Sequence, residues 1–223
     1  GQHACISLWL KYQDKLVKAL QPVDNFVYND YRGGVKGVQA KLMQKSNETA
    51  VENGVAVGFG FPNRTGYIIG KRLFNHKDLI KIEVLFKRLS WRSALKRRVK
   101  WRFLVNFAGW ISSLAIRFFL AIGGKSVSRV KYTWVSTFDE SINLFWEKVK
   151  DQYTIMVKRD FIYLNWRYCR KPDNTYHILR AELDGSIVGL IIVKYEDYKD
   201  ARIGFIMESL AIKDSPVIDS LLK

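Results

Sequence analysis

Cysteine and histidine are scarce in this chain, and acidic residues are almost missing from one long stretch of it. The 223 residues include two cysteines, Cys5 and Cys169, and three histidines. Neither set has metal-ligand or disulfide spacing, so no metal centre and no disulfide scaffold is expected. The plain setting is reducing and cytoplasmic. No secretory leader is read at the start. The first strand signal, Ile6–Tyr12, comes so early that domain sequence is expected to continue beyond both ends. Between Lys81 and Lys131 there are 13 basic residues and one acid, Glu83, so +12 of the net +16 lies there. The charge therefore describes one segment and not the whole protein.

What is present excludes disorder. Hydrophobic residues make up 48% and aromatics 14%, enough to bury a core in one large domain or two small ones. Ile6–Tyr12 and Lys15–Leu20 flank Gln13-Asp14 and predict a hairpin, with Val23–Tyr28 as a third strand. A glycine-rich stretch follows. The spacing of Val38, Leu42 and Met43, then Thr49 and Ala50, predicts a helix over 38–53 that Gly54 ends. Val55–Phe61 reads as a buried strand stopped by Pro62, and Thr65 as the cap of a helix over Gly66–Phe74. Ile80, Ile82, Val84 and Phe86 alternate with Lys81, Glu83 and Leu85 and predict a half-buried strand. Farther on, Thr137 and Glu140 read as a capping box ahead of Ile142, Phe145, Trp146 and Val149. A second helix is expected over Phe161–Tyr168. Asp184-Gly185 then joins Tyr176–Leu183 to Ile187–Tyr195, and Arg202–Ile212 is a further strand. The expected class is α+β with an α/β-type three-layer arrangement: a mixed, mostly antiparallel sheet flanked by helices, with an inserted amphipathic helical segment.

Chemistry concentrates at Asn29–Met43, where a strand runs through glycines into a helix. Glycines let backbone N–H groups converge, and a helix N-terminus adds its dipole, so the product suits a phosphate or pyrophosphate. Arg32 and Lys36 add charge at the rim. The P-loop pattern fails because Gly37 is followed by Val38-Gln39, and the dinucleotide fingerprint lacks its spacing and its acid. An ordinary strand-to-helix turn is the bland alternative.

Tyr31-Arg32-Gly33-Gly34-Val35-Lys36-Gly37-Val38-Gln39-Ala40-Lys41-Leu42 resembles the acetyl-coenzyme A loop of the GCN5-related N-acetyltransferases. Gln21–Val27 before it resembles that family's fourth strand, and Phe59-Gly60-Phe61-Pro62-Asn63 after it the end of the fifth. The resemblance covers roughly Gln2–Phe86 and implies an acetyltransferase-like fold using acetyl-coenzyme A, or another acyl-coenzyme A, as cosubstrate. It implies cofactor contacts at Val27, Tyr31, Arg32, Gly33, Gly34, Val35, Lys36, Gly37, Val38 and Asn63. The family pattern runs Arg-x-x-Gly-x-Gly; here the fourth residue from Arg32 is Val35, Gly37 arrives two residues later, and the loop reads as lengthened. Where many members carry a tyrosine, seven residues after the Asn, this chain has Gly70.

The segment Tyr163-Leu164-Asn165-Trp166-Arg167-Tyr168, with Pro172, Tyr176 and the hairpin around Asp184-Gly185, resembles the opening half of another domain of the same superfamily. The expected organisation is residues 1–87 as a later half with the acyl-coenzyme A loop, 88–131 as a basic amphipathic linker, and 132–223 as an opening half. Acyl transfer needs a polarised carbonyl, a deprotonated amine and a proton for the thiolate. The resemblance assigns the first to the backbone near Val27. Asp24 is the candidate for the amine and Tyr67 for the thiolate; a surface carboxylate and a packing tyrosine are the alternatives. The acceptor amine is unidentified.

The basic cluster Arg92–Arg102 beside Phe103–Ile122 leaves three readings open: a helix packed on the protein, one lying on an anionic membrane surface, and one spanning the bilayer. A cytoplasmic protein that touches the inner membrane surface through 92–122 is compatible with the second. No recognised nucleic-acid module accompanies the charge, so nucleic acid is not the expected partner. The rival to an enzyme is a non-catalytic acetyltransferase-like module that binds an anionic membrane surface or nucleic acid through this segment.

Overall fold

The computed structural model describes residues 1–33, 36–84, 129–172, 175–198, 201–213, 215 and 217. Its described residues form a mixed α+β protein with two four-stranded sheets and four α-helices. They divide into two compact units, one of Gly1–Glu83 with Tyr153–Lys158 and one of the described parts of Val84–Gln152 and Arg159–Lys223. The basic cluster at 92–102 and the amphipathic run at 103–122 lie outside the described residues.

In the first unit β1 (Gln2–Tyr12) and β2 (Lys15–Phe26) form the expected hairpin, with Gln13 in the left-handed region at φ 52°. Val23–Phe26 is not a separate third strand. β2 runs straight through Pro22, which pairs with Cys5. Helix α1 (Val38–Glu52) follows a short 3-10 turn (Asn29–Tyr31) and the glycine stretch. It ends in a Schellman motif, with Gly54 N–H donating to the Val51 carbonyl and Val55 N–H to that of Ala50. Gly54 has φ 71°, which favours glycine there. The helix lies against the sheet through Ala40 and through contacts from Gln39 to His3 and from Ser46 to Cys5.

Strand β3 corrects the sequence reading. Instead of a buried strand over 55–61, only Val57–Gly58 pairs, parallel to β2, and both residues are exposed. The Lys18 and Leu20 carbonyls face β3, accepting from Ala56 and Phe59. By the two-residue repeat, position 22 is next on that edge, and Pro22 has no N–H to give. The ladder stops there. Helix α2 (Arg64–Phe74) is capped by Asn63, not Thr65: Asn63 Oδ1 accepts from Gly66 N–H at 2.9 Å.

The strand expected over 80–86 is also absent in its described part. Ile80, Ile82 and Val84 are exposed and pair with no described strand. Alternation makes a strand only where a neighbour supplies the ladder. The sheet is completed by β5 (Ile155–Val157), antiparallel to β1.

The second unit is an antiparallel sheet ordered β4-β6-β7-β8, from β4 (Val130–Val135), β6 (Tyr176–Leu183), β7 (Ser186–Tyr198) and β8 (Ala201–Ala211). Strand β4 is not among the expected elements, although Val130-Lys131-Tyr132-Thr133-Trp134-Val135 is rich in β-branched and aromatic residues. The β6–β7 turn has both Asp184 and Gly185 at positive φ, which matches the twist of paired strands. Helix α3 (Ser141–Val149) buries Ile142, Phe145, Trp146 and Val149, the expected face. Its start is not the Thr137–Glu140 box: Asp139 lies nearer and accepts from both the Ser141 hydroxyl and its N–H. Those two bonds, the hydroxyl first, hold the Asp139 carboxyl below its ordinary range.

Helix α4 (Phe161–Leu164), capped by Asp160, passes into a π-helical turn (Asn165–Cys169). Buried Asn165 accounts for that irregularity: it accepts from Phe138 N–H and donates to the Phe138 and Phe161 carbonyls. Tyr168, also on this turn, is buried, with its hydroxyl 3.5 Å from Glu208. Burial, then the Glu208 charge, pushes its phenol far above the ordinary value of about 10. Above about pH 10 the unfolded chain therefore binds fewer protons than the folded one, and stability falls as pH rises. Tyr168→Phe is expected to flatten the alkaline limb of a plot of melting temperature against pH; identical limbs for both proteins contradict this account.

Candidate functional site

Ligands in sheets with parallel strands collect beyond the carboxyl ends of those strands. β2 and β3 are the parallel pair among the described strands, and past Leu20 and Phe59 no backbone hydrogen bond joins them. The chains stay adjacent at first, since a Cβ on Gly60 would sit 3.6 Å from Pro22. One then runs to the N-terminus of α1 and the other to that of α2.

A bulge decides what β2 presents there. Ala4 pairs with Val23 but Gln2 pairs with Phe26, so β2 carries one extra residue, and Asp24 takes φ 48°. Ala4–Val23 belongs to the hydrogen-bonded pairs that start at the turn with Tyr12–Lys15, two residues apart each time. The bulge returns Phe26 to that set, facing β1. Val27 lies one residue past the end of β2, and the strand alternation carried on by that residue places its N–H and C=O on the opposite edge, where β3 has left the ladder. Its N–H has no partner among the described residues, and its carbonyl accepts from Arg32 Nε at 3.0 Å.

Beyond the 3-10 turn the backbone closes tightly. Lys36 N–H donates to the Gly33 carbonyl, and Lys41 N–H to that of Gly37, the N-cap of α1. Gly33 and Gly37 are in backbone contact: a Cβ on Gly37 would lie 2.6 Å from Gly33 N. Gly37 offers no capping side chain, and the first turn of α1 has no acid, so the leading N–H groups of the helix meet an uncapped end. The α2 start differs because Asn63 caps it. Gly34 and Val35 lie outside the described residues.

The candidate residues fall into two groups. Val27, Tyr31, Arg32, Gly33, Lys36, Gly37 and Val38 form one continuous segment from the end of β2 to the start of α1. Asp24 sits on the bulge, exposed, with its carbonyl accepting from Gln2. No protein-family model matches the chain, and no curated protein matches it significantly.

Asn63 and Tyr67 are engaged elsewhere. The Asn63 carboxamide oxygen is spent on capping α2. The Tyr67 hydroxyl donates to Asp78 at 3.1 Å, and Lys71 pairs with the same carboxylate at 3.0 Å. Those two bonds, Lys71 first, hold the Asp78 carboxyl below its ordinary range. Gly70 is closed by the His76 ring, whose Nδ1 would stand 2.3 Å from a Cβ there. The Arg32–Val27 bond and the packing of His76 on Gly70 had no sequence signal, because both depend on a turn of the backbone between the partners. No group of three or more His, Cys, Asp or Glu able to hold a metal occurs among the described residues, and no described helix is long and apolar enough to cross a membrane.

Proposed function

We propose that the chain is an acetyltransferase-like protein, related to the GCN5-related N-acetyltransferases, that transfers an acyl group from acyl-coenzyme A to an amine. The observation that carries this reading is the path from β2 to α1. A bulge turns Val27 toward an edge that β3 has vacated, and the following glycines pack backbone on backbone into an uncapped helix start. Such a start favours a pyrophosphate, and the vacated edge leaves an extended arm room to lie beside β2. In this reading Val27 N–H donates to the thioester carbonyl as negative charge develops on it. The Asp24 carboxylate takes the proton of the attacking amine, and coenzyme A departs as the thiolate. Residues 1–87, joined by Tyr153–Lys158, are then a later half-domain, 88–131 a basic linker and the rest of 132–223 an opening half of a second unit.

One observation favours a second reading, a non-catalytic acyl-coenzyme A-binding module. The Tyr67 hydroxyl is shared with Asp78, and position 70 has neither a proton donor nor room for one. Release of free thiol from acetyl-coenzyme A in the presence of mixed amines separates the two. Binding itself is tested by titrating isotope-labelled protein with acetyl-coenzyme A and following backbone amides. Val27, Gly33, Lys36, Gly37 and Val38 are expected to shift together. Shifts confined to other parts of the chain refute the assignment of this loop.

A further inference from the structure

Arg32 is the cation nearest the start of the loop, and a phosphate ligand is the obvious role for it. Its geometry favours another. The side chain folds back over five residues, and Nε donates to the Val27 carbonyl at 3.0 Å in a partly buried bond. The backbone between them is closed by two further bonds, Tyr31 N–H to the Tyr28 carbonyl and Arg32 N–H to that of Asn29. The buried Val27 side chain and that of Val38, the first residue of α1, both lie beside Gly1, where an added Cβ would meet them at 3.0 and 3.2 Å.

In an extended residue the N–H and C=O point to the same edge, so a donor that fixes one fixes the other. We propose that Arg32 is a positioning residue: by gripping the Val27 carbonyl it aims the Val27 N–H at the acyl carbonyl of a bound thioester. This rests on the acyl-coenzyme A reading above and assigns Arg32 a role in that site other than phosphate binding. The bond uses a donor that a guanidinium supplies and an ammonium does not supply in the same geometry, whereas a terminal carboxamide can reach back as a neutral donor.

That difference gives a crossed test. The full chain and its Arg32→Gln and Arg32→Lys variants are titrated with carbonyl-labelled acetyl-coenzyme A by calorimetry, and the thioester carbonyl band of the bound ligand is read by infrared difference spectroscopy. In the unaltered protein the band is expected below that of the free thioester, because a hydrogen bond lowers it. Arg32→Gln keeps a donor without charge and should keep the lowered band. Arg32→Lys keeps the charge and should return the band to its free position, with affinity within about threefold of the unaltered protein.

The reverse pattern overturns the proposal: an intact band in Arg32→Lys together with affinity about tenfold weaker in Arg32→Gln makes Arg32 a phosphate ligand. A band at the free position in the unaltered protein overturns it as well. No binding by the unaltered protein defeats the acyl-coenzyme A reading itself, and so separates the two failures. Arg32→Ala, followed by its melting temperature, checks that a band shift does not come from unfolding: a folded Arg32→Ala protein must show the free band.

Discussion

Gly37→Ala is expected to weaken acetyl-coenzyme A binding about 5- to 150-fold while leaving the second unit folded. An added Cβ would stand 2.6 Å from Gly33 N, 2.9 Å from its Cα and 3.0 Å from its carbonyl carbon. All three are backbone atoms, so no side chain can swing aside. The loop must open, and the N–H groups at the start of α1 lose their common target. Overpacking of this kind costs about 1–3 kcal/mol. Taken from the bound geometry, that weakens affinity by about 5- to 150-fold. Gly54→Ala is the natural control. Nothing lies within 4 Å of a Cβ there, and the strain comes only from φ 71°. It should lower stability by about 1 kcal/mol and leave affinity alone. Calorimetric titration of both variants checks this; equal affinity in Gly37→Ala and the unaltered protein contradicts the role of the loop.

The largest stability effect is expected at Arg159. Its Nε donates to Glu208 on β8 at 2.5 Å, and the two side chains are 17% and 10% exposed. The guanidinium also lies over the Tyr163 ring at 5.0 Å. Arg159→Met leaves the Glu208 carboxylate buried beside the Tyr168 hydroxyl without this cation, and loss of one partner of a buried pair costs about 3–5 kcal/mol. Replacing both residues, Arg159→Met with Glu208→Leu, should recover most of that loss, since an apolar pair of similar volume is often neutral. Urea unfolding followed by tryptophan fluorescence measures both. A loss below about 1 kcal/mol for the single variant would mean that water reaches the pair and screens it.

Short-range signals in the sequence carried well where one residue type decides the outcome. Asp184-Gly185 selected its turn, Gly54 closed α1, and Ile142, Phe145, Trp146 and Val149 repeated at the helical period and were buried together. Signals that depend on a neighbour did not carry. Val55–Phe61 is apolar enough for a strand, but its length is set by Pro22 on the strand beside it. Val23–Tyr28 read as a strand separate from Lys15–Leu20, yet the donor that Pro22 lacks faces the side on which β3 departs, so β2 continues through it. Capping motifs misled for a similar reason. Asn63 and Asp139 each lie closer to free N–H groups than the residues that match a pattern on paper. The glycine loop was visible in the sequence because tight backbone contact demands glycine at positions 33 and 37. The grip of Arg32 on Val27 was not, because no residue pattern encodes a side chain that folds back across a 3-10 turn.

In the proposed function the segment from Val27 to Val38 holds the pyrophosphate and thioester of an acyl-coenzyme A. Isothermal titration of the full chain with acetyl-coenzyme A tests it most directly. Saturable one-to-one binding well below millimolar ligand, weakened about 5- to 150-fold in Gly37→Ala, is the expected result. Heats that stay at the level of dilution up to millimolar acetyl-coenzyme A, or binding that Gly37→Ala leaves intact, would contradict it.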